Sequence, residues 1–199
     1  MTITLLLIAV TVAVSFLAWQ QPSLFHTLIH WPPGVQRGEW WRLITHGFIH
    51  ADTTHLLFNM ITLFFFGRVM EQVLVPHIGT LGFVLFYIAG IMIAALPSQY
   101  RHRHDVAYRS LGASGAVAAV LFAYILIQPW AMLLVFVIPV PAIVFALVYV
   151  TYSFWAERRA QDNINHSAHL WGAAWGVVFM IGLEPALVPH FLQELLSPL

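Results

Sequence analysis

The sequence predicts an all-α polytopic membrane protein, a bundle of six transmembrane helices in a single domain spanning residues 1–199. Two observations support this prediction. Hydrophobic residues make up 60% of the chain and charged residues only 8%, whereas a soluble domain carries about 25% charged residues. Six segments are also mostly apolar over about 20 residues, the length that crosses a bilayer. The predicted spans are residues 2–19, 54–73, 79–95, 113–128, 131–152 and 167–182.

The first connection, residues 20–52, is long and rich in tryptophan, with Trp31, Trp40 and Trp41. Tryptophan concentrates in the headgroup region of a bilayer, where its ring finds both apolar and polar surroundings. We therefore expect a partly helical element that lies in the membrane interface. Residues 184–199 have an amphipathic pattern and predict a tail on the membrane surface.

The connection between the fourth and fifth helices is expected to be very short, only residues 128–130, so these helices should be antiparallel neighbours. Pro139 and Pro141 fall inside the predicted fifth span and predict a kink there.

Composition also excludes several functions. The formal net charge is zero, which gives no basic patch for nucleic acid. The chain has no cysteine, so a disulfide framework, a thiolate nucleophile and a thiolate metal site are excluded. We expect no cofactor.

The fourth predicted helix begins with a run of small residues around Ser114, Gly112-Ala113-Ser114-Gly115. Backbone N–H groups in the first turn of a helix lack intrahelical acceptors and favour a developing anion. A serine here suits a nucleophile, but a packing serine or a helix cap gives the same pattern.

The sixth predicted helix carries His169 in its first turn, beside a stripe of small residues. Ala168, Gly172 and Gly176 recur every four residues and share one face, which allows close approach of another helix. A histidine here can take the proton of Ser114 and activate it. A lone histidine that caps a helix at the membrane interface fits equally well.

A third cluster contains His46, His50, His55 and Asn59. His55 and Asn59 are four residues apart, so they point the same way on the second helix. Donors beside a nucleophile stabilise the oxyanion of acyl transfer. Histidines at these spacings can also chelate zinc, but the glutamate of a His-Glu-x-x-His motif is absent, and we expect no metal.

The three clusters lie near the starts of the second, fourth and sixth helices, which share one side of the membrane by topology. With these residues the chain resembles the rhomboid family of intramembrane serine proteases, in its bacterial six-helix form. The motifs that carry the resemblance are Trp41-Arg42, His50-x4-His55-x3-Asn59, Gly112-x-Ser114-Gly115 and Ala168-His169-x2-Gly172-x3-Gly176.

The resemblance implies a catalytic dyad, with Ser114 as nucleophile and His169 as general base. His55, Asn59 and the backbone N–H of Ser114 would form the oxyanion hole. The remaining motif residues would be structural near the site, and they are Trp41, Arg42, His50, Gly112, Gly115, Gly172 and Gly176.

Other expectations also follow from the resemblance. Arg42 would bond loop carbonyls or a partner such as Glu71. The partners would be transmembrane protein substrates and the lipid bilayer, with no nucleic acid; the oligomeric state is not predicted.

The chain departs from the family at Ala118, where many relatives have a tyrosine stacked on the catalytic histidine. The imidazole of His169 would then be held less firmly, or by another ring such as Trp171 or Tyr124.

The arginines give a second conflict. All but Arg68 lie on the side of the predicted site, and the positive-inside rule would put that side in the cytoplasm. We keep the orientation of well-known bacterial members, with the site open to the outside and the chain in the bacterial inner membrane.

Two other functions remain open from the sequence. The first is a catalytically inactive rhomboid-like binder of client membrane helices. The second is a transporter or channel lined by Asn59 and the histidines, although a conducting path also needs polar groups through the far half of the bundle.

Overall fold

The structure, a computed structural model, describes residues 2–135, 137–159 and 164–196. These residues form ten α-helices and one β-hairpin. In chain order the helices are α1 (Ile3–Gln20), α2 (Pro22–Leu28), α3 (Pro32–Gln36), α4 (Arg42–Thr45), α5 (Thr53–Thr62), α6 (Arg68–Arg101), α7 (Ser114–Ile127), α8 (Ala142–Arg159), α9 (His166–Leu183) and α10 (Leu187–Leu196).

Helix α7 lies at the centre of the molecule and packs against α6 and α9. Its residues are apolar on every face and almost all are buried, as expected of a helix that other helices surround. The main core forms where α7 meets α6, around Phe83, Phe86 and Tyr87. The N-terminus of α7 is therefore held at a fixed depth in the bundle.

Two helical segments are long and apolar enough to cross a membrane, Ile3–Gln20 and Thr53–Arg101, within the described residues. A third is counted if α9 and α10, bent by 114° at their junction, form one span. Helix α7 is apolar but shorter. Six spans therefore stay a prediction, and a segment of 49 residues is long enough for two crossings of about 20 residues each.

The second and third predicted spans are joined without a loop. Helix α5 passes through a π-helical turn, Leu63–Gly67, directly into α6. The direction of α6 changes at Gly79, whose φ of 69° and ψ of 172° are not helical. The prediction of a non-helical connection between residues 73 and 79 is thus wrong. One glycine with a positive φ bends the helix, and no separate loop is needed.

The region before α8 is a β-hairpin and not the first half of a helix. Strand β1 (Met132–Val135) pairs antiparallel with β2 (Ile138–Pro141), and Met132 lies opposite Pro141. The predictions of a fifth helix from residue 131 and of a connection confined to residues 128–130 are therefore wrong. A proline inside a helix removes a hydrogen bond and clashes with the preceding turn, so Pro139 and Pro141 disfavour a helix here, and the predicted kink is replaced by a hairpin.

The long first connection is partly helical, as predicted, and contains α2, α3, α4 and a 3-10 turn, His46–Phe48. The predicted tail contains α10, which has no buried residue, and residues 197–199 of that prediction lie outside the described residues. Helices α1, α7 and α9 lie within one residue of the corresponding predicted spans.

Candidate active site

Ser114 is the first residue of α7, and hydrogen bonds to the first connection fix the loop before it. Ser110 and His30 pair as an isolated antiparallel bridge, with N–O distances of 3.1 and 3.2 Å. The N–H of Gly112 donates to the carbonyl of His46 at 2.9 Å. Gly112 has a φ of 111°, a conformation that favours glycine. The chain can therefore turn sharply into α7 and present Ser114 at its start.

The side chain of His50 stabilises the same turn through hydrogen bonds. Its Nε2 accepts a hydrogen bond from the N–H of Ala113 at 3.3 Å, and its Nδ1 lies 3.1 Å from the Oγ of Ser15. The hydroxyl of Ser15 donates to the carbonyl of Phe48, so Nδ1 carries the proton. Burial lowers the pKa of His50 to about 3, which keeps the ring neutral and able to accept from Ala113.

Helices α7 and α9 touch through their backbones. A Cβ added to Gly172 would lie 2.0 Å from the carbonyl oxygen of Gly115, and one added to Gly176 would lie 2.0 Å from that of Ala119. Any side chain at these two positions would push the helices apart. The small-residue stripe of α9 therefore brings the first turn of α9 next to the first turn of α7.

Ser114 and His169 line the same cavity, which has a volume of about 1280 Å³. His169 lies in the first turn of α9, and the side chain of Asn165 caps this helix by accepting from the N–H of Ala168 at 3.0 Å. The serine comes from α7 and the histidine from α9, at the place where the two backbones meet. Ser114 and His169 thus face one cavity.

A ring from α8 stacks on the imidazole of His169. The centroids of Tyr149 and His169 are 5.7 Å apart, and the planes are inclined by 25°. The sequence leaves open a less firmly held imidazole or a ring such as Trp171 or Tyr124 in this position. Trp171 is 52% exposed, and Tyr124 packs against Phe66. Sequence reasoning missed Tyr149 because no spacing connects a residue of the fifth helix with one of the sixth.

The two predicted oxyanion donors, His55 and Asn59, also line the cavity. The ring of His55 lies directly over Gly112, where an added Cβ would be 2.6 Å from its Cε1. The amide of Asn59 is buried and its Nδ2 donates to the carbonyl of His55 at 2.9 Å. An amide nitrogen has two hydrogens, so a second one remains for another acceptor.

The Trp41-Arg42 pair lies away from the cavity and organises the first connection. The Nη1 of Arg42 donates to the carbonyls of His26 and Ile29, at 2.6 and 2.8 Å, and Arg42 also pairs with Glu39. Trp41 donates to the carbonyl of Thr27 at 3.2 Å.

Glu71, the other partner considered for Arg42, instead accepts from the N–H groups of Ile3 and Thr4, both at 2.8 Å. It therefore caps the first turn of α1.

Two further buried histidines, His30 and His46, were not assigned a role from the sequence. His30 bridges Ser110 and Gln99, both at 2.9 Å, and burial lowers its pKa. Burial lowers the pKa of His46 to about 3, and its Nδ1 lies 2.8 Å from the carbonyl of Arg42. In the part of the chain that the structure describes, no three His, Asp or Glu side chains converge as metal ligands would.

Comparison with known proteins gives a family. Residues 37–185 match the Rhomboid domain. The chain is 32% identical to the rhomboid protein YdcA of Bacillus subtilis, over 82% of this chain and 80% of that protein. It is 27% identical to the rhomboid protease GlpG of Haemophilus influenzae, over 89% and 88%. With the mitochondrial RHOMBOID-like protein 12 of Arabidopsis thaliana the identity is 36%, over 66% of this chain and 43% of that longer protein.

Proposed function

The chain belongs to the rhomboid family, and from this premise we propose that it is an intramembrane serine endopeptidase with a Ser114–His169 dyad. The observation that supports the dyad most directly is the backbone contact of α7 and α9, which brings both residues to one cavity. The family and the apolar helices make the chain an integral membrane protein.

The proposed reaction follows from the positions of these groups. His169 accepts the proton of the Ser114 hydroxyl, and the Oγ attacks the carbonyl carbon of a substrate peptide bond. His169 then donates the proton to the leaving amine, and a water molecule repeats the attack on the acyl enzyme. Ser114 and His169 are half-buried, so electrostatic contacts between them are stronger than they would be in bulk water.

The oxyanion would be stabilised by three donors on two elements. The backbone N–H of Ser114 belongs to the first turn of α7, where no intrahelical acceptor exists. His55 and Asn59 come from α5 and line the same cavity. Loss of one such donor reduces kcat by about 10²–10³ in serine proteases.

We propose transmembrane helices of other proteins as substrates, unwound locally so that one stretch enters the cavity. The cavity, about 1280 Å³, exceeds the roughly 300–1,000 Å³ of small-molecule pockets, which suits an extended peptide. The mechanism needs no cofactor. We place the protein in the bacterial inner membrane with the cavity open to the outside; a reporter fused after Leu199 tests this, and a C-terminus outside the cell contradicts it.

The first prediction tests the dyad. Ser114→Ala and His169→Ala should each abolish cleavage of a transmembrane substrate in proteoliposomes, because they remove the nucleophile and the base. Labelling by a fluorophosphonate probe, which reacts with an activated serine, should disappear as well. Thermal unfolding in detergent should remain close to that of the parent protein.

The matched control is Thr62→Val, which removes a hydroxyl from the lining of the same cavity and should leave cleavage and labelling intact. Cleavage by the Ser114→Ala variant would refute the dyad. A parent protein that neither cleaves nor reacts with the probe would instead support the inactive binder of client helices.

A further inference from the structure

We propose that Tyr149 is the positioning residue for His169, so that the orientation of the base is set by α8 and not by the helix of the nucleophile. The proposal rests on the proposed function, because it assigns a partner to the base of that dyad. Its starting point is the stacked contact of the two rings, with 5.7 Å between centroids and 25° between planes.

Tyr149 is itself held by two other rings. Phe122 packs against it at 5.5 Å and Phe145 at 5.6 Å between centroids. Phe145 lies one turn earlier on α8, whereas Phe122 lies on α7, two turns beyond Ser114. The tyrosine therefore bridges from the nucleophile helix to the base on α9, and a shift of its ring is opposed from both sides.

A small residue, Ala118, faces the same cavity from α7. Ala118 lies one turn after Ser114, is 3% exposed, and lines the same cavity as Tyr149 and His169. The small side chain at this position adds no ring to the cavity from α7, and the ring that stacks on His169 comes from α8.

The carboxylate of Glu157 fixes the helix that carries the tyrosine, two turns beyond Tyr149. It accepts the N–H of Ser167, in the first turn of α9, at 2.9 Å, and it forms an ion pair with Arg101 at the end of α6. The end of α8 is therefore tied to the turn of α9 that contains His169. Tyr149 and His169 keep their register as long as this connection holds.

Stacking restricts rotation of the imidazole about its bond to Cβ, so the ring presents the same nitrogen to Ser114. Aromatic pairs of this geometry stabilise one orientation by an amount that corresponds to about a threefold to tenfold change in population. Loss of the ring should therefore lower kcat by about that factor and leave KM unchanged, because substrate binding does not depend on the orientation of the base.

The test compares kcat and KM of three single variants in proteoliposomes. Tyr149→Leu should lower kcat about threefold to tenfold at unchanged KM, and the rate of fluorophosphonate labelling should fall in proportion. Tyr149→Phe keeps the ring and should keep kcat. Tyr152→Leu makes the same change one turn away, on a ring that contacts His166, and should also keep kcat.

A rescue variant separates positioning from a loss of packing. Tyr149→Ala should lower kcat, and Ala118→Tyr added to it should restore kcat at least in part, because the new ring enters the vacated space from α7. An unchanged kcat in Tyr149→Leu would overturn the proposal, as would an equal loss in Tyr149→Phe. These results leave the dyad standing, since only cleavage by Ser114→Ala refutes it.

Discussion

The helix pair α7–α9 and the helix α8 both supply side chains to the cavity, but they are packed in opposite ways. Helices α7 and α9 meet at their backbones, with Gly172 and Gly176 against carbonyl oxygens of α7. The fully buried residues of α8 are all small; Phe145 and Tyr149 are half-buried, and other large side chains are exposed, with Leu147 at 63% and Val148 at 64%. The positions of Ser114 and His169, the proposed nucleophile and base, are therefore fixed by close contact, while Tyr149, which we propose orients His169, lies on a helix that makes no such backbone contact within the described residues.

The largest expected effect comes from separating the close pair. Gly172→Val should lower the free energy of unfolding by about 3 kcal/mol or more, because the added Cβ would meet a backbone oxygen that cannot move aside. Cleavage should be lost together with stability. Thermal unfolding in detergent micelles measures this effect.

Gly182→Val is the matched control on the same helix. A Cβ added there meets nothing within 4 Å, so the stability should change by less than about 0.5 kcal/mol. Equal stabilities of the Gly172 and Gly182 variants would show that the contact of α7 with α9 is not the fixed part of the site.

Acid should destabilise the turn before α7, because the buried histidines His46 and His50 bond to it. Burial lowers the pKa of His46 and of His50 from 6.5 to about 3. Below pH 6.5 the unfolded chain therefore binds more protons than the folded one, and stability is lost as the pH falls from 6.5 towards 3. Each ring contributes a slope of about 1.4 kcal/mol per pH unit at most in this range.

His50→Asn should flatten the fall of the unfolding temperature between pH 6.5 and 4, because the amide keeps one donor and one acceptor group but does not titrate. Parallel curves for the variant and the parent protein would contradict this assignment. Above pH 6.5 the contribution of the ring is complete, so the two proteins are best compared there first to confirm that the variant folds.

The smallest expected effect tests the contacts of Glu157, which connect the end of α8 with α9 and α6. Glu157→Gln removes the charge that pairs with Arg101 and should lower kcat by about threefold, since a partly exposed ion pair is weak. In the Tyr149→Leu background it should lower kcat no further, because both changes act on the same ring. Arg158→Gln, next to it on the exposed end of α8, should have no effect, and additive losses in the double variant would separate Glu157 from Tyr149.

The elements that could be predicted from the sequence are those whose pattern is local. Continuous apolar runs predicted α1, α7 and α9 to within one residue, because length and composition suffice for such helices. The small residues of α9 predicted a close helix contact, and the backbone contact of Gly172 with Gly115 has that form. The role of the Ser114 and His169 pair remains a prediction that the dyad variants test.

The features that escaped prediction depend on pairings between distant segments. The hairpin of β1 and β2 is apolar, like the helix that was expected in its place, and periodicity does not separate the two over so short a run. The stacking of Tyr149 on His169 joins two helices whose relative rotation no sequence spacing encodes. The same holds for Glu157, a charged residue at a helix end that bonds to another helix.

The contact of glycine backbone with carbonyl oxygen in α7 and α9 makes the distance between the two first turns a property of main-chain atoms alone. Substitutions on the lipid-facing surface can suit a different lipid environment. The contact between the two helices involves no side-chain rotamer that would have to change in response. A bundle of this kind can adapt to a thicker or thinner bilayer through its exterior while the spacing at its reactive end stays constant.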